Sequence, residues 1–139
     1  MALGDRLMSK TTSSLQFVSP PLNPKPELLV LEITIAGQRY AIAADGIQKV
    51  LPIAAWTLQA GLPEHVVGIL ELEGQGLPVV NARVCLGFDA QLPSINDHLL
   101  LVQASSMFFL WIDQANMLRP WLETDHIFNL EVFEPVVSP

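Results

Sequence analysis

The sequence is poor in cysteine, in positive charge and in charge altogether, and each shortage closes off a class of function. One cysteine, Cys85, leaves nothing for an internal disulfide or a thiolate metal cluster, which suits a reducing compartment and a thiol packed as a small core side chain. Seven basic residues, Arg6, Lys10, Lys25, Arg39, Lys49, Arg83 and Arg119, are scattered along a chain of net charge -7. No stretch gathers the positive field that nucleic acid or an anionic membrane surface requires. Apolar runs are short as well. The longest, Met107 to Ile112, is far below the roughly 20 residues a helix needs to cross a bilayer. Residues 1–10 include Asp5, Arg6 and Lys10 and lack the apolar run of a signal peptide, so a soluble cytoplasmic protein is expected.

Signatures of catalysis and cofactor binding are missing too. His65, His98 and His126 lie far apart, with no i, i+4 pair and no second ligand nearby, so no metal site is expected. Gly74 and Gly76 fall inside a hairpin pattern rather than ahead of a helix, which removes a phosphate loop, and there is no Gly-x-Ser-x-Gly elbow. Asp113 follows an apolar strand, where bonding to turn amides is the ordinary use of a carboxylate. Asp97, His98, Glu123 and Asp125 could make an acid-base site only by converging, and no spacing ties them together. The expectation is a protein without catalysis, cofactor or metal.

What is present is apolar material: half of the 139 residues are hydrophobic and 15% are charged. One domain of this size buries a sizeable core and is expected to show an apolar patch outside it. Residues 1–27 differ in composition, with Thr11 to Ser14 followed by Pro20, Pro21, Pro24 and Pro26, and read as a flexible tail with apolar points at Leu15 and Phe17. The folded domain then covers 28–139. Leu29, Leu31, Ile33 and Ile35 alternate as a first strand, Ala36-Gly37-Gln38 turns the chain, and Arg39 to Ala43 returns. Ala44 to Ile53 holds Ile47 and Val50 at helical spacing and reads as a loop or single helical turn. Trp56, Leu58 and Leu62 in the connection to Pro63 are expected to pack down onto the fold.

The organising stretch is Val67 to Val80, an alternating strand, a turn expected at Gly74-Gln75-Gly76, and a second strand whose Pro78 must stand at a start, an edge or a bulge. Asn81 caps a helix of about two turns ending at Leu86 and Gly87. His98 to Gln103 and Met107 to Ile112 make a second hairpin, apolar on both faces, that the domain or a partner must cover. Asn116 to Leu122 and Ile127 to Val132 read as further strands. Short strands between Gly and Pro turns predict an all-β barrel or sandwich.

From Leu28 to Asp113 this order resembles the CheW-like domain of bacterial chemotaxis. The resemblance is carried by Gly37-Gln38 and Tyr40 to Ile42, Ile47 and Val50, Leu62-Pro63 before Val67-Gly68, Gly74 with Pro78-Val79-Val80, Arg83 and Gly87, and Ile112-Asp113. It implies two small SH3-like five-stranded β-barrel subdomains and a non-catalytic adaptor linking chemoreceptors to a CheA-type histidine kinase. It also implies partner contact through Ile47, Lys49, Val50, Glu73 and Gly74. A diverged subunit serving another partner, or a ligand-binding barrel with a sealed cavity, are the alternatives.

Three departures stand out. Lys49 and Glu73 replace the family's acidic residue and arginine, a joint sign reversal read as a cross-contact of opposite polarity that redirects specificity. Phe109 stands where the family tends to have glycine, which predicts altered packing or an aromatic surface shared with Phe108 and Trp111. The second barrel reads as shortened, leaving an open sheet edge for self-association.

Overall fold

The computed structural model describes residues 28–135; the expected tail, residues 1–27, and residues 136–139 lie outside the described residues. Alternating apolar side chains build β1 (Leu29–Ile35), which a two-residue turn joins to β2 (Gln38–Ala43). Ala36 and Gly37 both take positive φ there, 54° and 78°, the geometry that matches the twist of a tight hairpin. After a 3₁₀ turn come β3 (Ile47–Pro52), β4 (Val66–Leu72), β5 (Gln75–Asn81) and the short helix α1 (Ala82–Cys85). The chain continues as β6 (His98–Gln103), β7 (Met107–Ile112), β8 (Gln114–Pro120), β9 (Ile127–Phe128) and a second 3₁₀ turn over Leu130–Phe133.

The strands form two sheets, one in the order β8-β1-β2-β9 and one in the order β3-β6-β7-β5-β4. The expected all-β architecture is present; where two five-stranded units were expected, the described residues form one sheet of five strands and one of four, the last of only two residues.

Two cores meet at the β6–β7 hairpin. Leu100, Val102, Phe108, Leu110 and Ile112 face a core shared with Leu31, Ile33, Ile35 and Ile42 of the four-stranded sheet. The alternate positions Leu99, Leu101, Phe109 and Trp111 face a second core with Leu77 and Val79. The period of two sends neighbouring side chains to opposite faces, so an almost continuous apolar run is covered on both sides by the domain itself. Phe108, Phe109 and Trp111 are therefore interior, so of the two expectations for Phe109, packing or an aromatic surface, it is packing that the structure shows. Trp111 packs against Trp56 with ring centroids 5.1 Å apart.

Other local expectations are corrected by tertiary pairing. Residues 47–52 form a strand rather than a loop or helical turn, because β6 supplies a partner along its length. The register shifts between Ile47 and Lys49, so Ile47 opposite Val102 and Val50 opposite Leu100 share a face although they are three residues apart. The bulge imitates helical spacing. The central turn is Glu73-Gly74, at φ 51° and 82°, one residue earlier than expected; Gly76 lies within β5 opposite Glu71. Pro78 precedes the part of β5 that pairs with β7, which begins at Val79, so its missing donor breaks no bond there.

The helix after Asn81 has one turn instead of two. Asn81 caps it through the Arg83 amide, and Phe88 and Gly87 bond back to the carbonyls of Arg83 and Val84 around Gly87 at φ 84°. Leu58 does not pack down, being 79% exposed, whereas Trp56 and Leu62 do. Beyond Phe128 the expected strand gives way to a 3₁₀ turn capped by Asn129, which places Leu130 and Phe133, three residues apart, into the first core.

Candidate partner-binding surface

β3 lies at the end of the five-stranded sheet with Gln48, Lys49 and Val50 exposed, Val50 by 46%. Ile47 differs. It is half-buried and packs against the first core, so it anchors the strand more than it faces solvent. The bulge that puts Ile47 and Val50 on one face puts Lys49 on the other, opposite Leu101. Beyond β3, Thr57 exchanges two 2.8 Å backbone bonds with Ile69 of β4, bringing the connection onto the outer side of that strand.

Glu73 and Gly74 stand exposed at the tip of the β4–β5 hairpin. β3 and β4 occupy opposite ends of the strand order, and no ion pair joins Lys49 to Glu73 among the described residues. The expected cross-contact of reversed polarity is therefore not formed. The sequence signal brings together Ile47, Lys49 and Val50 on one strand and Glu73 with Gly74 on one turn, as two separate pieces of surface.

The carboxylates considered for chemistry are engaged structurally. Asp113 accepts from the Arg83 guanidinium at 2.7 Å and from the Gly37 amide at 3.4 Å, tying α1 and the β1–β2 turn to the end of β7. Asp97 accepts from the Trp111 indole and the Ser94 amide, each at 2.9 Å. Asp125 is bound by Arg119 at 2.7 and 2.8 Å and by the Leu122 amide, and it borders a different cleft from Asp97. Glu123 is exposed. The four groups Asp97, His98, Glu123 and Asp125 thus do not make one site. Asp97, His98, Arg83 and Asp113 border a cleft of about 570 Å³, but its two carboxylates already hold structural donors. No cluster of His, Cys, Asp and Glu able to hold a metal occurs among the described residues.

Residues 29–116 match the CheW-like domain, over more than half of the chain. The chain belongs to the CheW-like domain family. Among solved structures, the CheW-like domain is similar to the scaffolding protein TtCheW from Thermoanaerobacter tengcongensis, at TM-score 0.64 and 19% identity, over 70% of this chain and 67% of that one. A comparison with curated proteins gives no match. Among the described residues, no helix of this CheW-like domain is long and apolar enough to cross a membrane.

One surface escaped the sequence reading. Ile53, Ala54, Ala55, Trp56 and Pro93 line an apolar groove just past β3, and Leu92 and Ile95 beside Pro93 are almost fully exposed. The available signal was two large aliphatic residues inside an otherwise polar loop.

Proposed function

We propose that this CheW-like domain is a non-catalytic cytoplasmic adaptor of a bacterial chemosensory or motility pathway. Its partners are a CheA-type histidine kinase, a chemoreceptor, or both. The observation that carries the reading is the family match over residues 29–116 together with an exposed β3 that presents Lys49 and Val50. Val50 offers apolar contact, Ile47 holds the strand, and the Glu73-Gly74 turn supplies a second contact.

The reversed charges at Lys49 and Glu73 favour a partner surface of altered polarity over the ordinary one. Exposed charges add little affinity, but a like charge in the wrong partner repels it. The test is binding of the purified chain to the CheA-type kinase and the chemoreceptors of its own organism. Val50→Asp is expected to weaken the true partner at least tenfold, about 1.4 kcal/mol. Lys49→Glu with Glu73→Arg is expected to change which partner is preferred. Binding to none of these proteins, or affinities untouched by all three substitutions, rejects the reading.

A further inference from the structure

We propose that residues 127–135, β9 with the 3₁₀ turn over Leu130–Phe133, form a latch that opens as one unit while the other strands stay folded, and that its Leu130 holds the entry to β3 in place. The latch concerns how β3 is held, whatever binds there, so it stands or falls apart from the adaptor reading.

The attachment is thin along the backbone. β9 pairs with β2 only at Ala41 and Ile42, where the Ala41 amide reaches the His126 carbonyl at 3.3 Å. Beyond β9 the backbone bonds are local, from the Val132 amide to the Asn129 carbonyl at 3.0 Å and from the Glu134 amide to the Glu131 carbonyl at 3.2 Å. Among the described residues, no backbone bond joins residues 129–134 to another element. A segment held this way belongs to the least stable part of a fold, because few bonds must break for it to leave.

Side chains fasten it instead. Leu130 and Phe133 sit in the first core, and Phe128 meets Tyr40 and Phe133 with ring centroids 5.0 and 6.0 Å away. Glu134 is the clasp. Its carboxylate accepts from the Ser105 and Ser106 amides at 2.8 and 3.2 Å and from Ser106 Oγ at 2.6 Å, all in the turn between β6 and β7. His65, just ahead of β4, donates through Nε2 to the Glu134 carbonyl at 2.8 Å, and Ser105 Oγ donates to Glu131 at 3.2 Å. Bonds to a charged acceptor are the strong ones, so a single carboxylate carries most of the polar fastening.

Leu130 reaches β3. Its side chain lies so close to Gly46 that a Cβ there would collide with it, and Gly46 ends the 3₁₀ turn that leads into Ile47. Ile47 packs against the same core as Leu130, and the bulge of β3 follows between Ile47 and Lys49. With the latch closed, Leu130 backs the residues at which β3 begins. With it open, that backing is gone from the bulged end of the strand. Cys85 reports which state is present, since it lines a cleft of about 390 Å³ whose opposite wall is the latch at Glu131, Val132 and Glu134.

The experiment is hydrogen exchange of the folded full chain, followed amide by amide by NMR in low, rising urea, with Cys85 labelling by a disulfide reagent alongside. In the wild type, amides of residues 129–134 are expected to exchange faster than those of β6 and β7 and with a much weaker urea dependence, the mark of a small opening. Cys85 labelling should share that weak dependence. Glu134→Ala removes the clasp, and Gly46→Ala displaces Leu130 without needing a positive φ. Each should speed latch exchange and Cys85 labelling by about tenfold or more. Glu134→Ala should also move the amide signals of residues 47–49, although none of its hydrogen bonds among the described residues reaches β3. Latch amides that exchange only with the urea dependence of β6 and β7 overturn the proposal, because the segment then leaves only when the whole chain unfolds. An opening that neither variant speeds overturns the fastening, and unmoved signals at residues 47–49 overturn the hold on β3. If Gly46→Ala fails to fold, the wild type and Glu134→Ala decide.

Discussion

Cys85 ends α1, where burial pushes its thiol up to about 11 from an ordinary 9.0. Only the thiolate attacks an alkylating reagent, so the folded protein is expected to react with iodoacetamide far more slowly at pH 8 than the urea-unfolded chain, as read by mass spectrometry. Asp125 behaves in the opposite sense. The hydrogen bonds from Arg119, with the Leu122 amide, hold its carboxyl at about 2 against an ordinary 3.8. A carboxylate lowered by folding stabilises the native state above its unfolded value, and that contribution is lost as pH falls from about 4 toward 2. Urea midpoints measured across this window should fall less steeply for Asp125→Asn than for the wild type. Neither property was legible in the sequence. The lone cysteine was readable as a core thiol, but Asp125 and Glu32 share Arg119 only because β1 and β8 lie side by side, a contact spanning most of the chain.

At the scale of elements, strict alternation was readable and broken alternation was not. β1 alternates closely, while β6 and β7 are continuous apolar runs bounded by turn residues, and the sequence placed all three to within a residue or two. β3 was missed because its bulge set Ile47 and Val50 three apart, so a strand wore the spacing of a helix. The central turn was expected one residue late, at Gly74 to Gly76, because two glycines accept positive φ most readily, whereas here Glu73 adopts it with Gly74. Of the candidate contact residues, Val50 and Lys49 are exposed, whereas Ile47 is half-buried against the first core. Gly68 shows what the bulged strand β4 requires. A Cβ there would meet the Thr57 carbonyl oxygen and the Trp56 ring, each at 2.5 Å, just where the connection closes onto β4. Gly68→Ala is therefore expected to destabilise the protein by roughly 1–3 kcal/mol, seen as a lower urea midpoint with an unchanged slope.

For the whole molecule, the family resemblance read from short motifs was correct because those motifs mark turns, caps and close approaches that the fold cannot vary freely. The 3₁₀ turn that seats Leu130 and Phe133 in the first core was not readable, since Ile127 to Val132 alternates as a strand would. The β6–β7 hairpin belongs to both cores, so neither core can lose its packing without uncovering one face of the same two strands. Heat unfolding should give one calorimetric transition whose measured and van't Hoff enthalpies agree; two separable transitions would mean that the halves are independent. The same hairpin denies the molecule a seam. A chain divided in the loop between α1 and β6 would send both shared strands to one fragment and strip β4, β5 and the first two strands of their common wall. Neither fragment would fold until it met the other, and adding them together would restore a single structure.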